Sequence, residues 1–156
     1  MPMQAAFLTR GTMRHLQFRG LWAGGSVYFV GNAMQTMAAS WMMVELSGSS
    51  FLAALVQTAV FLPMFLFSLP AGVLADITDR KRLIMLALAI QAASGTLLAI
   101  LSLTQSTGPG GVLFLIFVAG SCTALMSPAW NSTVAQSVPR EELPQAIIAT
   151  SVSYNG

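Results

Sequence analysis

Charge of either sign is what this sequence has least of. Asp, Glu, Lys and Arg together make up 8 % of its 156 residues, while hydrophobic residues make up 55 %. A water-soluble domain devotes about a quarter of its residues to charge. This chain therefore has no means of covering a soluble surface, and its mean hydropathy of +0.72 agrees. The net charge of +2 does not argue for nucleic acid, because so few charges form no basic face. The single cysteine, Cys122, excludes an internal disulfide. The single histidine, His15, stands in the amino-terminal tail, so no Cys/His set exists to ligate a metal. There is no Gly-Lys-Ser/Thr loop to cradle a phosphate, and no cofactor is expected.

What the sequence has instead is long uncharged stretches. Arg10, Arg14 and Arg19 lie in the tail, and residues 20–44 then carry no charge. After Glu45, residues 46–75 are uncharged again. Asp76, Asp79, Arg80, Lys81 and Arg82 come together, and residues 83–139 are uncharged before Arg140, Glu141 and Glu142. About 20 apolar residues cross a bilayer as a helix. The first two stretches hold one span each, and the third holds two, broken at the turn-rich segment from Thr104 to Gly111. The expected fold is an all-α integral membrane protein. It has a tail over residues 1–20, helices over about 21–45, 51–75, 83–104 and 111–136, and an incomplete fifth over 143–156. The first apolar stretch exceeds a signal-peptide core of about 7–15 residues, and it reads as a retained helix.

Basic residues collect in cytoplasmic loops. Four crossings put the tail, the 76–82 loop and Arg140 on one side, which then holds every Lys and Arg. The other side receives only Ser47 to Ser50 and the 104–111 loop. The amino terminus is therefore expected in the cytoplasm.

Lipid has no use for an amide, so polar side chains on these helices need other helices or water. On the first helix Gly25, Asn32 and Thr36 share a face, with Gln35 and Ser40 beside it. The second carries Gln57, Ser68 and Gly72, and the third Gln91, Ser94, Gly95 and Ser102. The fourth has a stripe of Gly120, Thr123, Ala124, Ser127, Pro128 and Asn131. Two readings stay open: small residues that let backbones approach, or a polar path lined by several helices. Close packing does not need amides, so Asn32, Gln35 and Gln57, with Thr36, are candidate cavity lining. Met34, Met37, Met42 and Met43 beside Trp41 offer adaptable apolar surface to packing, lipid or ligand. Pro63, Pro70 and Pro128 predict kinks inside spans. Glu45 reads as a boundary residue at the outer end of the first helix. No acid or base lies in mid-span, so an intramembrane hydrolase lacks its base and enzyme readings fail.

Between the second and third spans, Gly72 is followed by Asp76 and then by Arg80, Lys81 and Arg82. This spacing resembles the cytoplasmic loop motif between helices two and three of the major facilitator superfamily. The resemblance implies that Gly72 allows close helix approach. It also implies that Asp76, Arg80, Lys81 and Arg82 form a charged latch, which meets the second half of the transporter in one conformational state. Ile77 stands where a basic residue is usual, and Asp79 where a glycine is usual. An aspartate there is familiar in one efflux branch, which has Ala-Asp-x-x-Asp-Arg-Arg. Phe18 to Trp22, Val44 to Ser49 and Val138 to Leu143 also resemble that branch, whose members are related to macrolide and enterobactin exporters. Where many of them carry an acid in the first helix, this chain has Asn32.

Family members have twelve helices, in two halves each made of inverted three-helix repeats. The resemblance thus implies the amino-terminal part of a proton-coupled secondary exporter working by alternating access in a bacterial inner (plasma) membrane. Its partners would be the bilayer, a small amphipathic substrate of drug or siderophore type, protons, and the missing carboxy-terminal helices of the same transporter. Nucleic acid is not among them. Two other readings remain. A self-contained four-helix dimeric multidrug transporter needs a membrane-buried carboxylate, and Glu45 lies near the boundary. A non-transporting membrane assembly module leaves the amides unexplained.

The orientation has a direct test. Single cysteines at Ser49 and Gly108 should react with an impermeant thiol reagent from outside the cell, and those at Thr78 and Glu141 should not. Labelling of Thr78 from outside would overturn the assignment.

Overall fold

A computed structural model describes residues 15–155, with side chains to residue 152. Five α-helices and one 3-10 turn account for nearly all of them. They are α1 (Leu16–Ser47), α2 (Ser50–Ile77), α3 (Arg80–Leu103), α4 (Pro109–Gln136), the 3-10 turn Arg140–Glu142, and α5 (Leu143–Asn155). The fold is all-α, as the charge spacing implies. Arg10 and Arg14 of the expected tail lie outside the described residues.

The helices begin earlier than the apolar stretches do, and the reason lies at their ends. Residues 16–20, expected in the tail, are the first turn of α1, where Phe18 is buried. Gly48 closes α1 at φ +63°, a left-handed conformation that suits glycine, and its N–H donates to the Val44 carbonyl at 2.8 Å. Ser49 then caps α2, its hydroxyl accepting from the Leu52 N–H at 3.4 Å. Asp79 caps α3 by accepting from the Arg82 N–H at 3.0 Å. As a result the loop expected over 76–82 shrinks to Thr78 and Asp79. Asp76 belongs to the last turn of α2, and Arg80, Lys81 and Arg82 to the first turn of α3. α2 continues past Pro63 and Pro70, and α4 past Pro128.

α2, α3 and α4 are long and apolar enough to cross a membrane. α1, at 32 residues, is longer than any of them, but Asn32, Gln35, Thr36 and its serines and glycines make it more polar. On α2 the buried positions are Val56, Ala59, Pro63, Ala71 and Ala75, which follow the helical period along one face. Large side chains take the outside instead: Phe65 is 80 % exposed and Leu69 84 %. This inversion fits lipid as solvent, because lipid tails satisfy a leucine as well as another helix does, while small residues let helices touch.

The chain folds as two compact units. The larger spans residues 34–130. Its core joins Ala39 and Met43 of α1, Val56 and Ala59 of α2, Leu98 of α3, and Val112, Leu115 and Ile116 of α4. A smaller cluster at the turn between α2 and α3 packs Ala75 and Leu83 with Ala129. Helix α4 lies tightly against α2 at Gly120, where a Cβ would stand 2.7 Å from the Val60 carbonyl oxygen. α3 is tied to α4 by Ser94, whose hydroxyl donates to the Leu115 carbonyl at 2.9 Å. The smaller unit joins residues up to 33 with those from 131 onward. There the Trp22 indole donates to the Ala149 carbonyl at 3.1 Å, and His15 pairs with Glu142 at 3.3 Å.

Gly120 is a close approach between two of these helices, whereas a Cβ at Gly72 would meet nothing within 4 Å beyond its own stretch of helix among the described residues. Gly72→Ala should therefore hold or raise stability, by up to about 1 kcal/mol of helix propensity. Gly120→Ala should lose about 1–3 kcal/mol through overpacking against a backbone oxygen. Unfolding titrations with sodium dodecyl sulfate in mixed micelles would measure both, and equal effects would refute the packing assignment.

Candidate functional site

The carboxy-terminal half of α1 and the last two turns of α3 border a groove of about 510 Å³. From α1 it takes Gln35, Ala39 and Met42, which share a face at three- and four-residue spacing. Gly95, Leu98 and Ser102 answer from α3 with the same spacing. The Gln35 amide lies against α3 at Gly95, where a Cβ would stand in ordinary contact, 3.5 Å from Gln35 Oε1. Met42 and the neighbouring Met34 supply unbranched walls that adjust to different shapes.

Gln35 gives this groove its polarity. Its Nε2 is buried and has no hydrogen-bond partner among the described residues. A buried donor left unpaired costs about 1–3 kcal/mol, so an acceptor on a bound molecule would be stabilised at this point. Apolar walls with a few polar groups, here Gln35 and Ser102, are the ordinary composition of a small-molecule site.

The four residues expected to line a cavity have different surroundings. Gln35 lines this groove, but Gln57 is exposed on α2 and does not. Thr36 is half-buried one position beyond Gln35, and its carbonyl accepts from the Ser40 hydroxyl at 2.9 Å. Asn32 is half-buried and falls in the smaller unit. Polar residues of α3 behave differently from those of α2. Gln91 and Ser94 lie on the buried face of α3, whereas Gln57 and Ser68 are on the exposed face of α2. Small residues occupy the packed face of α2, leaving its polar ones outside.

The candidate latch is laid out along two helix ends. Asp76 is exposed on the last turn of α2 and makes no ion pair among the described residues. Lys81 and Arg82 are exposed and Arg80 is half-buried. Three cations in the first turn of a helix oppose its dipole, and the Asp79 carboxylate at the cap offsets them. Asp79 was visible in the sequence only as a departure from a loop pattern. As an Asp directly before a helical run it carries the usual signal of a cap. A second pairing was also missed: the Trp41 indole donates to Glu45 Oε1 at 2.8 Å, and their four-residue spacing was the available sign.

Residues 9–156 match the family described as transmembrane secretion effector. Over 128 residues, 82 % of the chain, the sequence is 32 % identical to Macrolide efflux protein A of Streptococcus pyogenes, and it covers 32 % of that protein. It is 35 % identical over 83 residues to Macrolide efflux protein A of Enterococcus faecalis, which is 53 % of this chain and 26 % of that one. The chain thus spans about a third of the length of the curated relatives it matches. No solved structure matches it. The family match covers nearly every residue, and three of the described helices are long and apolar enough to cross a membrane; this chain is an integral membrane protein of the transmembrane secretion effector family, a family of efflux transporters within the major facilitator superfamily.

Proposed function

We propose that these residues form the amino-terminal part of a secondary exporter of small amphipathic compounds, coupled to protons and working by alternating access. In this reading the protein sits in a bacterial inner membrane with its amino terminus in the cytoplasm. The observation that carries it is the groove between α1 and α3, apolar and methionine-walled, with the unpaired Gln35 amide donor inside it. Such a surface favours molecules that are largely apolar and carry an acceptor. The two relatives are named for macrolide efflux, and a compound of that amphipathic kind suits the groove.

Alternating access needs two halves that rock about the substrate. The facing half would come from chain beyond these residues, since the match spans a third of the relatives' length. Asp76, Arg80, Lys81 and Arg82 would form the latch to it, and the unpaired, exposed state of Asp76 supports that role. The described carboxylates, Glu45, Asp76, Asp79, Glu141 and Glu142, all lie at helix ends or in the turns between helices. The proton-carrying group is therefore expected in the completing helices.

Two variants of the full-length protein test the reading through efflux of a radiolabelled macrolide from energised cells. Gln35→Leu should lower efflux about five-fold, the worth of one hydrogen bond, at unchanged membrane abundance. Asp76→Asn should lower the maximal rate and leave the half-saturating concentration alone, because the latch biases conformation and does not touch substrate. Dissipating the proton gradient should abolish export. Unchanged efflux in the Gln35 variant would remove the groove from the transport path, and export without a gradient would reject proton coupling.

A further inference from the structure

Two side-chain contacts within the smaller unit join the start of α1 to the segment around the start of α5. The Trp22 indole N–H donates to the Ala149 carbonyl at 3.1 Å. His15 Nε2 stands 3.3 Å from Glu142 Oε2, in the 3-10 turn that precedes α5. The first contact is indifferent to pH. The second is not, because an imidazole gains or loses its charge within the physiological range.

Glu142 keeps 30 % of its side chain exposed, yet Oε2 itself is buried and accepts no hydrogen bond among the described residues. A buried carboxylate oxygen without a donor is costly. The contact with His15 offsets that cost most when the imidazole carries a proton, since a charged donor binds a carboxylate more strongly than a neutral one. The other charges nearby do not replace it. Arg140 and Glu141 of the 3-10 turn are exposed, and so is Arg19 of α1, whose backbone N–H donates to the His15 carbonyl at 3.0 Å. Residues 131–139 and 143–152 contain no charged side chain. Arg14 precedes His15 in the sequence and lies outside the described residues.

This end of α1 depends on such contacts. Gly20 and Gly24 fall in its first turns, and a glycine inside a helix costs stability relative to alanine. Neither meets a neighbour beyond its own stretch of helix within 4 Å of a Cβ position, so close packing does not compensate.

We propose that His15 and Glu142 form a proton-operated tie. With His15 charged, the first turns of α1 are held to the turn before α5. With His15 neutral, the Glu142 oxygen loses its counter-charge and those turns fray. The stabilisation is therefore full at low pH, where the imidazole is charged, and is lost as pH rises and the proton leaves. α1 is continuous from this tie to Gln35, so the tie acts on the helix that lines the groove. In the orientation proposed above these groups face the cytoplasm, and acidity in that compartment sets the tie.

Hydrogen–deuterium exchange of the full-length protein in phosphatidylcholine nanodiscs tests this, read on peptides covering Arg19 to Ala23 at pH 6 and pH 8. Rates are corrected for intrinsic exchange, and a peptide around Ser94 serves as the internal reference. The wild type should be about five-fold less protected at pH 8 than at pH 6, with the reference unchanged. His15→Gln and Glu142→Gln should each show the low protection at both pH values. His15→Arg, which keeps its charge, should show the high protection at both. Melting temperatures check that each variant is folded. Equal protection of the wild type at the two pH values overturns the proposal. So does a pH response that survives in His15→Gln or Glu142→Gln, since another group would then be titrating. A folded His15→Arg variant with low protection at both pH values also rejects charge as the cause. Each of these failures leaves the export reading standing, because that reading is tested at Gln35.

Discussion

Inside a bilayer no water is present to pair with a backbone N–H or C=O, and each unpaired group costs several kcal/mol. The rest of this structure follows from that constraint. It makes helices the only economical way for the uncharged stretches to cross. It also removes the hydrophobic drive that would press one helix against another in water. What holds the larger unit together is then contact area and a few polar ties. Alanines and glycines line the packed faces, and Gly120 brings α4 onto the α2 backbone at Val60. Bulky residues such as Phe65 and Leu69 are free to face outward, because lipid satisfies them.

The same constraint sorts the polar side chains into two groups. Some are used up in holding the helices. Ser94 reaches across to the Leu115 carbonyl, and Ser121 and Thr123 return their hydroxyls to carbonyls one turn back on α4. Gln35 belongs to the other group, since its amide nitrogen is buried without a partner among the described residues, against α3 at Gly95. A chain selected only for packing would gain by replacing such a group with an apolar one. Its retention is the physical reason to look for a ligand there.

Charge governs the helix ends. The α2–α3 turn uses Asp79 as a cap and so draws Arg80, Lys81 and Arg82 into the helix. Asp76 is left exposed across a two-residue turn. At the far end of α1 the arrangement is reversed, with one carboxylate, no ion pair to it among the described residues, and an indole held to it.

Much of this was legible in the sequence. The spacing of charges marked the helices and their breaks, because a charge inside a span is expensive in lipid. The Gly–Asp–basic spacing pointed to the superfamily to which the chain belongs. Helix starts were less legible, since Phe18 and the 80–82 basic residues are helical for reasons of burial and capping that hydropathy does not register. The tertiary structure alone decided which polar stripes are packed and which exposed. A helical wheel shows that Gln57, Ser68 and Gly72 fall on one side of α2, but not whether a neighbour lies on that side. It took the approach of α4 to α2 to mark Gly120 as a packing glycine, and the neighbours of α3 and α1 to separate the paired Ser94 from the unpaired Gln35. Periodicity is a property of one helix, whereas a groove or a close contact requires two.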